Sequence, residues 1–140
     1  MSNYTKTTAA FIKKSARHSD ISIALGISPF NQDLVRITDV DSVKRSIRTL
    51  VLTNKYERLL DPDIGGNVRA LLFEPMTAFT ETILQDYITE VIENYEPRAI
   101  LEDVIVQSNH DFNALNVTIR FRMDTSEQTQ TLDFLLERIR

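Results

Sequence analysis

The sequence predicts an α+β fold, because its apolar period changes once along the chain. Apolar residues from Met76 to Tyr95 recur at helical spacing, and those from Leu115 to Met123 alternate strictly. Pro97 stands between the two regimes, and a shorter helical stripe runs ahead of both, from Val40 to Val51.

The long helix is expected over about residues 75–95. Met76, Phe79, Ile83, Leu84, Tyr87, Ile88, Val91, Ile92 and Tyr95 form one stripe. Glu81, Gln85, Asp86, Glu90 and Glu93 lie opposite and read as a solvated face. Pro75 is expected in the first turn, where a missing N–H costs nothing. Pro97 ends the helix, since the residue before a proline is pushed out of the α region.

Ahead of that helix, residues 1–38 read as an N-terminal arm and an irregular segment, and residues 39–140 as the folded domain. Ile21, Ile23, Leu25 and Ile27 alternate among the breakers Gly26, Pro29 and Asn31. They suit a short strand or an extended segment over the core. Asp39 or Asp41 is expected to cap the first helix, with Val40, Val43, Ile47, Leu50 and Val51 as its stripe. Lys44, Arg45 and Arg48 form its other side, and such cationic faces are usually only solvated. Thr53 to Arg58 reads as an edge or turn, and Asp61-Pro62-Asp63 with Gly65-Gly66 as a loop. Asn67 is then expected to cap a short helix through Val68, Leu71, Leu72 and Phe73.

Beyond Pro97, Leu101 to Gln107 is a β-rich run with Val104, Ile105 and Val106 adjacent, and that continuous apolar character suggests a strand covered on both faces. Ser108 to Asn113 is a polar turn. Leu115, Val117, Ile119, Phe121 and Met123 then alternate with polar residues and complete a hairpin. From Gln128 to Arg140 the pattern fits two structures. Leu132, Leu135, Leu136 and Ile139 make a helical stripe, whereas Leu132, Phe134 and Leu136 make a strand face.

A chain of 140 residues suits one domain. The absence of cysteine excludes disulfides and thiolate metal sites. No apolar run approaches the roughly 18 residues that span a bilayer, so no membrane partner is expected. The first residues lack the apolar core of a secretory signal. Residues 1–58 hold ten Lys/Arg against five Asp/Glu, and residues 59–140 hold six against fifteen. A basic front and an acidic back suit self-complementary packing, two different partners, or simple clustering. Nucleic acid is not an expected partner, because the basic residues are not interleaved with stacking aromatics.

Few residues carry chemistry. His18 and His110 belong to no ligand set, so no metal or cofactor is expected. Two of Glu74, Glu81, Glu96, Glu102 and Asp103 could serve acid–base work on a glycosidic bond, but nothing in their spacing selects a pair. Glu96-Pro97-Arg98 is more informative. Arginine makes forked bonds to carboxylates, and proline stiffens the link between the two charges. A structural pair or a docking key would use this arrangement. Taken alone, the residues favour a helix stop with two solvated charges.

Five runs resemble a known family: Lys44-Arg45-Ser46-Ile47-Arg48-Thr49-Leu50, Thr53-Asn54-Lys55-Tyr56-Glu57-Arg58, Asp61-Pro62-Asp63-Ile64-Gly65-Gly66-Asn67, Leu71-Leu72-Phe73-Glu74 and Tyr95-Glu96-Pro97-Arg98. Over residues 40–140 the chain resembles the baseplate wedge proteins of contractile phage tails, a family that includes a baseplate component of type VI secretion systems. Tyr56 departs from the pattern, standing where the family often has glycine. The resemblance implies a small, mainly antiparallel sheet packed against two or three helices. It also implies a non-enzymatic virion component of the tail baseplate, assembled in the host cytoplasm within a sixfold hetero-oligomer. In it, Glu96, Pro97 and Arg98 would dock on the core bundle of other wedge subunits, near the tail tube or hub. A sheet edge at Thr131, Asp133, Leu135 and Glu137 would accept strands of the tail sheath protein and initiate the sheath, which tips the tail towards strand. The family has also carried the label lysozyme, so a peptidoglycan-cleaving glycoside hydrolase is the alternative.

Overall fold

The computed structural model describes residues 18–22, 24–30, 32–75, 77–109, 113–124 and 126–137. In chain order the elements are β1 (Ser19–Ile21), β2 (Arg36–Thr38), α1 (Val40–Leu52), α2 (Val68–Leu71), α3 (Ala78–Tyr95), β3 (Ala99–Asn109), β4 (Ala114–Met123) and β5 (Ser126–Glu137). β3, β4 and β5 form one antiparallel sheet with β4 in the middle, while β1 and β2 make a separate antiparallel ribbon. α3 lies across β3, and α1 and α2 pack on α3. This is the α+β arrangement the sequence predicts.

β4 shows the alternation most plainly. Leu115, Val117, Ile119, Phe121 and Met123 are all buried, and Asn116 and Arg120 are exposed. These inward residues meet Val43, Ile47 and Val51 of α1 and Leu84, Ile88 and Ile92 of α3 in a single core. The tail resolves as strand β5, in register with β4 from Ala114↔Glu137 onwards. Pairing with β4 settles what the local pattern left open. Ile139 of the alternative stripe lies outside the described residues.

Several expectations need correcting. α3 begins at Ala78, so Pro75 precedes the helix instead of occupying its first turn. Thr77 is the cap: its Oγ1 accepts from the Thr80 amide at 3.3 Å, and the Thr80 hydroxyl donates to the Pro75 carbonyl at 2.8 Å. The buried face is Thr80, Leu84, Ile88, Val91 and Ile92; Phe79 is 73% exposed, because only one narrow face of α3 meets the sheet and α1. Met76 lies outside the described residues.

β3 is an edge strand with one covered face, not a strand buried on both. A bulge between Leu101 and Asp103 inserts Glu102 and shifts the phase. Ala99 and Leu101 before it, and Val104 and Val106 after it, all point inward. Ile105, between Val104 and Val106, lies on the opposite face and is half-buried, so three adjacent apolar residues do not mean a strand buried on both faces.

Neither predicted side-chain cap forms at α1 or α2. The Asp39 carboxylate instead accepts from the His18 amide, and the Asp39 amide donates to the His18 carbonyl at 2.8 Å. That exchange ties the start of β1 to the start of α1. Asn67 contributes a left-handed φ of 48°. Of the alternating residues near the N-terminus, Ile21, Leu25 and Ile27 are exposed on the β1–β2 ribbon instead of lying over the core. The arm at residues 1–17, together with Ile23 and His110, lies outside the described residues.

Candidate functional site

The stop after α3 is a turn closed by the Ala99 amide donating to the Glu96 carbonyl at 3.1 Å, with Pro97 at the corner. The Arg98 carbonyl accepts from the Asp124 amide at 3.2 Å, which fastens the turn to the far end of β4. Glu96 and Arg98 therefore stand two residues apart on a fixed corner.

They bond to each other. Arg98 Nε donates to Glu96 Oε1 at 2.5 Å and Nη2 to Oε2 at 2.6 Å, the forked geometry of a bidentate pair. Glu96 is only 2% exposed, while the Arg98 side chain is 31% exposed. Burial alone would raise the Glu96 pKa, but the Arg98 fork and a hydrogen bond from Ser46 of α1 outweigh it and hold the carboxyl below its ordinary range. The Arg98 pKa is raised, chiefly by its bond to Glu96 and further by the charge of Asp20 on β1. The two charges are thus not separately solvated. Glu96 is an internal brace, and the corner presents Pro97 and the outer part of Arg98 to solvent. Beside the corner, Asp20, Arg45, Arg58 and Tyr95 line an open cavity of about 410 Å³.

The second candidate is the sheet margin. In an antiparallel strand each residue sends its N–H and C=O to the same side, and successive residues alternate. The Ser108 amide donates to Glu81 Oε1 at 2.9 Å, and Gln85 Nε2 donates to the Val104 carbonyl at 3.2 Å. Even-numbered residues here therefore point away from β4, and two of their outward groups, the Ser108 N–H and the Val104 C=O, are met by side chains of α3. Ile105, Gln107 and Asn109 face β4, opposite Thr118, Asn116 and Ala114. Leu115, Val117 and Ile119 are left to bond Leu136, Phe134 and Leu132 of β5. By the same alternation Thr131, Asp133, Leu135 and Glu137 turn their backbone groups away from β4, and no strand pairs with that margin among the described residues. Their side chains are exposed on the outer face.

Sequence reasoning missed the residues that make the two margins differ. Glu81 and Gln85 were expected on a solvated face, yet both are half-buried against β3. Their spacing of four places them on one helix face, which is the only signal the sequence holds. Ser46 and Asp20, which surround the corner, carry no local signal. The carboxylates considered for acid–base work are not gathered into a site: Glu81 bonds Ser108, Glu102 accepts from the Thr129 hydroxyl, and Asp103 lies 4.0 Å from Arg120. A general acid needs a raised pKa, and Glu96 is shifted the other way.

The family model described as baseplate wedge protein gp25 matches residues 38–128. The chain belongs to this family. Baseplate wedge protein gp25 of Enterobacteria phage T4 is 34% identical over 104 residues, covering 74% of this chain and 78% of the phage protein. Membership makes the chain a baseplate wedge protein of a contractile tail, as the resemblance implied. The fold agrees across more distant solved structures. A Geobacter sulfurreducens protein described as a tail lysozyme superposes with a TM-score of 0.67 at 20% identity, over 74% of this chain and 96% of that one. A chain in the anti-feeding prophage baseplate gives 0.60 at 22% identity, over 87% and 86%. One in the baseplate complex of the type VI secretion system gives 0.59 at 16%, over 69% and 90%.

Proposed function

We propose that this wedge protein is a non-catalytic assembly component with two working surfaces. The corner at Pro97 and Arg98, braced by Glu96, docks on the helical core bundle of neighbouring wedge subunits. The open β5 margin takes a strand of the tail sheath protein by β-augmentation and so starts the sheath. The observation that carries this reading is a difference between the two margins of the sheet: α3 side chains occupy the Ser108 N–H and the Val104 C=O on the β3 margin, while no strand pairs with the β5 margin among the described residues. An exposed edge is a template for another strand.

Thr131→Pro tests it. Proline removes one N–H from the margin and leaves the bonds to β4 in place. The purified variant should fold normally and join wedges, yet fail to nucleate sheath in a tail assembly reaction. Tails with ordinary sheaths would show that the margin accepts no strand. A cell-wall clearing assay on the purified protein checks the competing hydrolase reading, and clearing abolished by a single carboxylate-to-amide change would replace this proposal.

A further inference from the structure

The sheet is narrower than the helical layer above it. Inward residues of β4 are fully buried, but Gln130, Leu132 and Phe134 on β5 are only half-buried. Just past the C-terminal half of β5, a groove of about 600 Å³ opens between the strand and the ends of α1 and α2. Leu52, Leu72, Phe73, Leu135 and Leu136 line it, together with Arg69 and Glu137. Leu52 and Phe73 are exposed there. A strand placed at the usual spacing of about 4.8 Å from β5 would lie beneath these side chains.

We propose that this groove and the adjoining margin form the seat of one amphipathic strand, apolar towards the helices and cationic towards the outer face. The inference rests on the strand-accepting reading of β5 and specifies what kind of strand is accepted. One face must be apolar, because alternate side chains enter the groove against Leu52, Leu72 and Phe73 and extend the cover over half-buried Leu132 and Phe134 next to it. The other face must be cationic, because its neighbours on the outer side of β5 include the carboxylates of Asp133, which also accepts from the Thr118 hydroxyl at 2.7 Å, and Glu137. β5 holds no Lys or Arg at all. That composition also disfavours a second copy of β5 as occupant, since carboxylates would then face carboxylates across the new pair.

The test uses the full-length protein and fluorescent synthetic peptides about ten residues long. One alternates valine and lysine, a second has the same composition as a block of valines followed by a block of lysines, and a third is the alternating peptide with every second backbone nitrogen methylated. Fluorescence anisotropy should show the alternating peptide binding at least about tenfold more tightly than the block peptide. Leu52→Ser and Phe73→Ser should each weaken it by about tenfold while leaving the melting curve in place. Asp133→Asn should reduce the salt dependence of binding. Equal binding of alternating and block peptides, indifference to both groove variants, or no binding of any peptide would overturn the proposal. Tight binding of the methylated peptide would instead sink the edge reading beneath it. Loss of binding on methylation without any effect of Leu52→Ser or Phe73→Ser would keep the edge and remove the groove. Dimerisation of the protein that Leu52→Ser abolishes, seen by sedimentation, would also overturn it in favour of a second copy.

Discussion

Glu96 and Arg98 close a two-bond fork across a single proline, with the carboxylate sealed inside and the guanidinium at the surface. Removing the partner of a buried charge costs more than the pair itself contributes, because the remaining charge is stranded. Arg98→Ala should therefore destabilise the isolated domain by about 2 kcal/mol, discounted for the partial exposure of the arginine. Arg98→Lys should recover only part of this, because an ammonium cannot make the fork. Urea denaturation of the three proteins checks the order. Any assembly defect of Arg98→Ala has to be judged at a temperature where that variant is folded.

The same pair sets a pH dependence. The folded Glu96 carboxyl lies below its ordinary value of 4.5, so the folded state favours the ionised form. Its contribution is complete above that value and is lost as pH falls through the lower, folded value. Glu96→Gln removes the titrating group. Urea midpoints measured from neutral pH downwards should fall less steeply in acid for Glu96→Gln than for the parent.

Two turn positions should respond in opposite directions. Tyr56 has a φ of 67° and is 81% exposed, so its ring contributes little packing while its backbone sits in the left-handed region. Tyr56→Gly should stabilise by about 1 kcal/mol. A Cβ on Gly65, where φ is 135°, would fall 2.4 Å from the Thr53 carbonyl oxygen. Gly65→Ala should cost at least about 2 kcal/mol, because backbone must move. Thermal melts of both variants decide the matter.

Losing the α3 contacts should unlock the opposite side of the sheet. Glu81→Ala leaves the Ser108 amide without its carboxylate, and Gln85→Ala does the same to the Val104 carbonyl. Each should cost about 1 kcal/mol. Amide hydrogen exchange at Ser108 should quicken in Glu81→Ala while the amides of β4 keep their protection.

The parts of this fold that were legible in the sequence are those where one residue's neighbours along the chain decide its environment. β4 alternates because one face is core and the other is solvent, and the β3–β4 hairpin follows from it. Across the Leu101–Asp103 bulge the same reasoning fails, because an inserted residue shifts the phase and Leu101 and Val104, three apart, both face the core. Residues 128–137 fit two periods, since Leu132 and Leu136 satisfy both; only pairing with β4 chooses between them. At the corner, the sequence displays the two charges and the proline but neither the burial of Glu96 nor its hydrogen bond with Ser46, some fifty residues earlier in the chain. Asp39 looked like a cap because a carboxylate before a helix usually is one, yet His18 claims it.

Because Glu81 and Gln85 of α3 meet two outward groups of β3, while no strand pairs with the rim at Thr131 to Glu137 among the described residues, the sheet has a polarity. On the strand-accepting reading proposed above, a strand would be appended at the β5 margin. Copies of the chain then have no easy way to string together into a ribbon, since each offers a starting end without a matching continuation. A ring holding a fixed number of such units would carry that same number of growth points, all facing outward from their own subunits. What is built on it would inherit its count and its direction.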